Sequence, residues 1–215
     1  MTNLRTYTPS THDFFDEVAT LFVNLASFNA ATESFWNSSS TRIPNSPDHT
    51  LNLYGRIATA SFPIHQLMHG VVRNQWPTTL SLVYSLASAK PNSIPNGIEL
   101  QSNAISNMLV QLVGTTFLKF YERNVASPKA KYAHGPKTWP SHWRFAWLLR
   151  NAIAHGDRWV INDASFPATS WNELSISPAD SGKPWFDIRN YIAGGDVLLL
   201  MEELNADRSM PTGDV

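Results

Sequence analysis

The chain has 215 residues, 43% of them hydrophobic, a formal net charge of -1 and no cysteine, which excludes a disulfide framework, a thiolate zinc site and a cysteine nucleophile. With 11 Phe, 8 Trp and 6 Tyr there is core material for a single domain over residues 1–215. Charged residues make up only 15%, below the ~25% of an average soluble domain, so part of the surface is expected to be covered, most simply by a second copy of the chain.

The N-terminal stretch lacks the apolar core of a signal peptide, and no run approaches the ~18 apolar residues of a membrane helix. A cytoplasmic protein without a membrane span is expected. Ser10 to Asp13 has the form of a helix start, a capping residue followed three later by an acid. Phe14, Val18, Leu21, Phe22, Leu25 and Phe28 recur at helical spacing, which predicts a helix from about residue 11 to the mid-thirties. Residues 38–47 form a loop. A helix beginning near Asp48, with Leu51, Leu53, Tyr54, Ile57 and Ala58, is broken or kinked at Pro63 and continues from Ile64 to Asn74. A short helix is predicted over Thr78–Ala89, followed by a turn-rich loop over 91–97. The longest helical pattern runs from about Ile98 to Val125, with Gly114 either permitting a close helix crossing or costing a little stability. Residues 127–140 form a basic loop, and a further helix runs from about Ser141 to His155. Then the pattern changes. Short strands are predicted at 158–161, 169–176 and 184–188, with turn chemistry at 178–182, and Trp159, Trp171 and Trp185 packed inward. Asp196 caps a last helix, 197–204. The predicted fold is therefore mainly α, a bundle of five or six helices with a small β-hairpin insertion before the last helix.

Charge is unevenly distributed. Between Lys119 and Arg158 lie 8 Lys/Arg against Glu122 and Asp157, whereas from Val160 onward 9 acids face 3 bases. Such a basic segment suits a polyanion-binding surface; equally, the acidic tail can neutralise it within the fold.

Two other candidates carry less chemistry. His65 and His69 stand i,i+4 on a helix as a zinc pair would, but Gln66 replaces the glutamate a zinc protease needs as base. A third ligand would have to be His134 or His142, without supporting spacing. No metal and no cofactor are expected. Gly194-Gly195-Asp196 opening a helix offers a phosphate a helix N-terminus, without the lysine or spacing of a known phosphate loop.

The stretch from Trp143 to Asp157 holds the strongest site. On a wheel of 3.6 residues per turn, Arg144, Asn151 and His155 share one stripe, and Asn151 and His155 are i,i+4 neighbours. The remainder is apolar except Arg150, which sits on the Trp143/Trp147/Ala154 arc, roughly 140° from His155. A guanidinium there needs an anionic partner. Gly156 is expected in the left-handed region just past the helix end. The plain alternative is architectural: His155 favoured by the helix dipole, Arg150 tied to a carboxylate, Asn151 bonded to a loop.

Arg150-Asn151 followed by His155-Gly156 resembles the R-x4–6-H motif of the HEPN superfamily in its RNxxxHG form. The detailed resemblance covers residues 139–157. Its implied architecture is an all-helical core over about 98–205; the resemblance does not reach the first 90 residues, whose helices at 11–90 are expected to pack on that core. The resemblance implies a metal-independent endoribonuclease that cleaves RNA by 2′-hydroxyl attack to leave 2′,3′-cyclic phosphate ends, in a toxin or phage-defence setting. A free imidazole titrates near pH ~6.5 and serves as base or acid near neutrality, which is the role implied for His155. Arg150 offers a fork for the developing phosphorane charge, and Asn151 orients the imidazole or bonds the phosphate. Arg144, Arg158 and Lys137 are expected to hold the RNA backbone. Because one imidazole cannot easily be both base and acid, a homodimer is expected through residues 143–157, and an antitoxin or other protein partner is compatible with the family. Asp157 departs from the pattern: some family toxins carry a modified tyrosine there, and a carboxylate adds negative charge near the phosphate. The family also contains non-catalytic modules that bind RNA, nucleotide or protein. For Arg150 three arrangements stay open: the helix unwinds before His155, Arg150 acts across a dimer, or it is structural.

Overall fold

The first two-fifths of the chain builds a sheet. In the computed structural model, which describes residues 2–36, 50–86, 103–132, 135–187 and 191–209, β1 (Thr2–Tyr7), β2 (Thr50–Leu53), β3 (Ala58–Pro63) and β4 (Leu80–Leu86) form an antiparallel sheet in the order β1-β4-β3-β2. Between them run α1 (Phe15–Trp36), after β1, and α2 (Ile64–Val72), after β3. The second part holds α3 (Asn103–Asn124), α4 (Ala126–Tyr132), α5 (Ser141–Ala154), a hairpin of β5 (Thr169–Trp171) and β6 (Leu174–Ile176), and α6 (Gly194–Ser209).

This corrects the expected helical bundle to a mixed α/β fold: among the described residues there are 6 α-helices, a 4-stranded antiparallel sheet and a 2-stranded hairpin. Where helices are predicted near 51–58 and over 78–89, the described residues instead hold β2, a turn and the start of β3, and β4; residues 87–89 lie outside the described residues. Alternation decides both. Ala58, Ala60 and Phe62 are buried along β3 while the residues between them are only partly covered. Leu80, Leu82 and Tyr84 do the same on β4. A period of two places one face on a core. β1 has no such signature: among its described side chains only Tyr7 is buried, and Leu4 is 67% exposed on this edge strand.

The helices α1, α2 and α5 lie where periodicity placed them; α6 covers the predicted 197–204 but runs from Gly194 to Ser209, so that Asp196, expected as its cap, lies in its first turn. The described part of the long helical pattern is α3, residues 103–124; the stretch before it lies outside the described residues, as does the loop over 38–47. The expected basic loop over 127–140 contains α4 and a 3-10 turn at Pro136–Thr138. Downstream, 158–161 and 184–187 do not form strands, and 188 lies outside the described residues; Arg158 and Pro184 meet in an isolated bridge. The hairpin lies wholly within 169–176, turning at Asn172 in the left-handed region (φ 50). Trp159, Trp171 and Trp185 are all buried.

One continuous cluster of buried side chains runs from Tyr7 to Leu204. Phe22 of α1 meets Phe62 of β3 at 4.1 Å between ring centroids, and Phe14 meets Phe120 of α3 at 5.8 Å. Gly114 allows α3 to cross close to α5, since a Cβ there would lie 3.0 Å from Ile153 Cγ2. The sheet is pinned to α6 at Asp196, whose carboxylate accepts the N–H groups of Arg56 (2.6 Å), Ile57 (2.7 Å), Ala58 (2.9 Å) and Ala193 (3.1 Å). Burial pushes this carboxyl up, against the four N–H groups that favour its charged form. A Cβ at Gly195 would strike the carbonyl oxygens of Ala58 and Leu53, backbone atoms that cannot yield. The Gly194-Gly195-Asp196 helix start is thus filled by the β2–β3 turn and has no room for a phosphate. Among the described residues no helix is long and apolar enough to cross a membrane.

Candidate functional site

The helix α5 buries one side completely. Trp143, Phe145, Ala146, Leu148, Leu149 and Ala152 face the core, and Trp143 Nε1 donates to Asp207 Oδ2 at 2.7 Å. This fixes the rotation of the helix and turns Trp147, Arg150, Asn151, Ala154 and His155 outward. The helix ends where the sequence places its stop: the His155 N–H makes the last i to i−4 bond, to Asn151 O at 3.0 Å, and Gly156 follows at φ 94. Asp157 is left-handed as well, at φ 61, and the chain reverses.

The reversed segment lies back along the exposed stripe of α5 and encloses a surface pocket of ≈ 260 Å³ lined by Trp147, Asn151, His155, Val160, Ile161, Asn162, Asp163 and Phe166. Trp147 and Phe166 stack, with centroids 5.3 Å apart and planes 15° from parallel. Asn151 is half-buried and His155 exposed at the mouth. Ser181 supports the floor, since its Oγ accepts the Ile161 N–H at 3.2 Å.

Arg150 does not line this pocket. Its Nε donates to Glu122 Oε1 of α3 at 2.7 Å, and its NH1 donates to Asn151 Oδ1 at 3.4 Å. Of the three arrangements left open for Arg150, a helix unwound before His155 is not seen: α5 runs regularly to Ala154. The wheel separation stands, with Asn151 as the link between guanidinium and pocket.

The other predicted residues divide. Lys137 sits beside the pocket, ion-paired with Asp163 and donating to Ser165 Oγ at 3.0 Å. The Lys137 ammonium, with help from Ser165, draws the Asp163 carboxyl down to about 2. Arg144 leans on Lys137, its NH1 donating to Lys137 O at 3.4 Å, and its Nε is buried with no hydrogen-bond partner among the described residues. Arg158 points elsewhere and donates to Gly182 O at 2.7 Å. Asp157, expected to place negative charge near a phosphate, is directed inward: it accepts from Trp185 Nε1 at 3.0 Å and from Gln111 Nε2 at 2.9 Å.

The basic run is largely engaged within the fold. Arg123 pairs with Glu17 at 2.9 Å, Lys131 with Asp207 at 3.4 Å and Arg150 with Glu122. Lys131 and Lys137 find their acids in the acidic C-terminal part. A broad cationic face is therefore not formed by these side chains, and the chemistry concentrates in the pocket. His65 and His69 lie on α2 with side chains outside the described residues, as does His134; His142 faces Asp207 at 3.5 Å. Among the described residues no three His, Cys, Asp or Glu groups are placed to hold a metal ion.

Trp147, Asn162, Asp163 and Phe166 were not among the predicted site residues, nor was Glu122 as the partner of Arg150. Trp147 had a signal: it is four residues before Asn151 and eight before His155, adjacent on the wheel. The others come from a loop whose course depends on the two left-handed residues before it. Scans against protein-family models, curated proteins and solved structures found no match to this chain.

Proposed function

We propose that the C-terminal end of α5 is an endoribonuclease site of the kind its motif implies, cutting single-stranded RNA without a metal by attack of the 2′-hydroxyl on the adjacent phosphorus. One observation carries the proposal: Asn151 and His155 line the same open pocket, and Asn151 is bonded to the guanidinium of Arg150 behind it. The support is local to this helix end. The fold itself is not the helical bundle that the motif's family implies.

In this scheme His155, exposed at the mouth, exchanges a proton with the 2′-hydroxyl or the leaving 5′-oxygen. Arg150 has its Nε on Glu122 and one NH1 hydrogen on Asn151 Oδ1, and turns its remaining N–H groups to the phosphorane charge. The partner imidazole comes from a second copy in a homodimer facing across α5, a symmetric arrangement that is the commonest among oligomers. The site acts in the cytoplasm, in a toxin or phage-defence setting.

The test is incubation of the purified protein with mixed single-stranded RNA in EDTA. Cleavage to 2′,3′-cyclic phosphate ends is expected, falling at least ~100-fold in His155→Ala, the lower bound of general acid–base catalysis, and comparably in Arg150→Ala. Circular dichroism checks that both variants are folded. Cleavage that survives His155→Ala, or that EDTA abolishes, sinks the proposal. A non-catalytic RNA-, nucleotide- or protein-binding module is the second reading, favoured by the ion pair that already occupies Arg150. RNA retained without being cut selects it.

A further inference from the structure

The pocket beside His155 has a chemistry that a phosphate-binding site would not have. Its one carboxylate is Asp163, an anion, no Lys or Arg lines it, and Lys137 beside it is already paired with Asp163. A phosphate is therefore repelled from the interior. The rest of the lining is flat aromatic surface and carboxamide: Trp147 backed by Phe166, with Asn151 and Asn162 beside them. At ≈ 260 Å³ the space falls just short of the ~300–1,000 Å³ of pockets for drug-sized ligands, so it admits one ring system and not a longer segment. Flat π surfaces with amide donors and acceptors match a nucleobase, which stacks on aromatic rings and hydrogen-bonds along its edge. Asn151 spends its Oδ1 on Arg150, which leaves its NH2 as donor to an acceptor on the base edge.

From this we infer that the α5 pocket is a nucleobase subsite: one unpaired base enters and stacks on Trp147, Asn151 and Asn162 read its edge, and its sugar and phosphate stay outside at His155. The inference rests on the ribonuclease reading for its orientation, but its binding prediction is independent of cleavage. It gives the site a base preference, and it assigns Trp147 and Asn162 to substrate recognition.

The experiment is a titration of the wild-type protein with the four ribonucleoside 5′-monophosphates, which contain no cleavable internucleotide bond, and with ribose 5-phosphate as the base-free control. Binding is followed by calorimetry at millimolar ligand. At least one mononucleotide is expected to bind while ribose 5-phosphate does not. Trp147→Leu should weaken that binding at least about 5-fold, the low end of what losing one base–aromatic stack costs. Trp147→Phe, which keeps a ring, should retain most of it. Asn162→Ala, at an exposed position, should change the ranking of the four bases with folding intact. Equal binding of ribose 5-phosphate, no binding of any mononucleotide, or unchanged affinity in Trp147→Leu overturns the inference. The two readings fail separately. RNA cleavage with base binding indifferent to Trp147 keeps the ribonuclease and removes the subsite. Base binding lost in Trp147→Leu, in a protein that cuts no RNA, does the reverse.

Discussion

Glu122 holds Arg150 by its Nε at 2.7 Å, with side chains 52% and 32% exposed respectively. Exposed pairs of this kind contribute only about 0.2–1 kcal/mol. Arg150→Ala should therefore lower folding stability by less than about 1 kcal/mol in urea denaturation while removing cleavage, and Glu122→Gln should leave both nearly unchanged. A loss of several kcal/mol in Arg150→Ala would assign the residue to architecture. At this scale the sequence was informative where the cause is local. The wheel separates Arg150 from His155, and Gly156 marks the helix end, because helical geometry depends on neighbours within a turn. It misplaced Asp157, whose carboxylate was expected near a phosphate. Its orientation is set by Trp185 and Gln111, 28 and 46 residues away in the chain, and by its own left-handed backbone.

Long helices were legible, and of the short strands only the hairpin region at 169–176 was. The buried face of α1 repeats over several turns, whereas Leu51 to Ala58 mixes the end of β2, a turn and the start of β3. Apolar residues on both sides of Gly55 there imitate a helical spacing. Gly55 was the available sign of a turn, since a Cβ at that position would strike Ala58 O and the Asp196 carboxylate. The segment after β6 also supports the pocket. Asp180 closes the short 3-10 turn at Pro178–Asp180, accepting from Ser177 N at 2.9 Å, Tyr191 OH at 2.9 Å and Lys183 Nζ at 2.8 Å. The next residue, Ser181, holds the Ile161 N–H in the pocket floor. Partial burial would raise the Asp180 carboxyl, but Lys183 and the other donors outweigh it and bring it to about 2. In the unfolded chain the same group binds its proton near ~3.9. Acid therefore favours the unfolded chain: the Asp180 contribution is present above that value and is lost as pH falls toward 2. Urea midpoints measured from neutral pH down into this window should fall for wild type, and Asp180→Asn should have a shallower slope. Equal slopes would show that Asp180 does not stabilise the turn through its charge.

At the scale of the whole molecule, α5 is buried on one side and presents Trp147, Arg150, Asn151, Ala154 and His155 on the other. Among the described residues one copy offers one imidazole on this face, whereas the proposed reaction needs a proton taken and a proton given. A two-fold axis passing near Ala154 would bring two His155 and two Arg150 side chains to one groove, with each nucleobase pocket to its side. The absence of native cysteine makes this geometry directly testable, because a single introduced thiol has no competitor within the chain. Ala154 is exposed at the last residue of α5. A disulfide needs its Cα atoms within about 4.4–6.8 Å, a separation that only residues close to the axis satisfy. Mild oxidation of Ala154→Cys should yield a covalent dimer rapidly, while Thr20→Cys, exposed on α1, should not. Sedimentation of the unmodified protein should show a dimer at the concentrations where RNA is cut. Cleavage by a species that sediments as a monomer, or crosslinking at Ala154→Cys no faster than at Thr20→Cys, would remove the composite site and leave His155 to act alone.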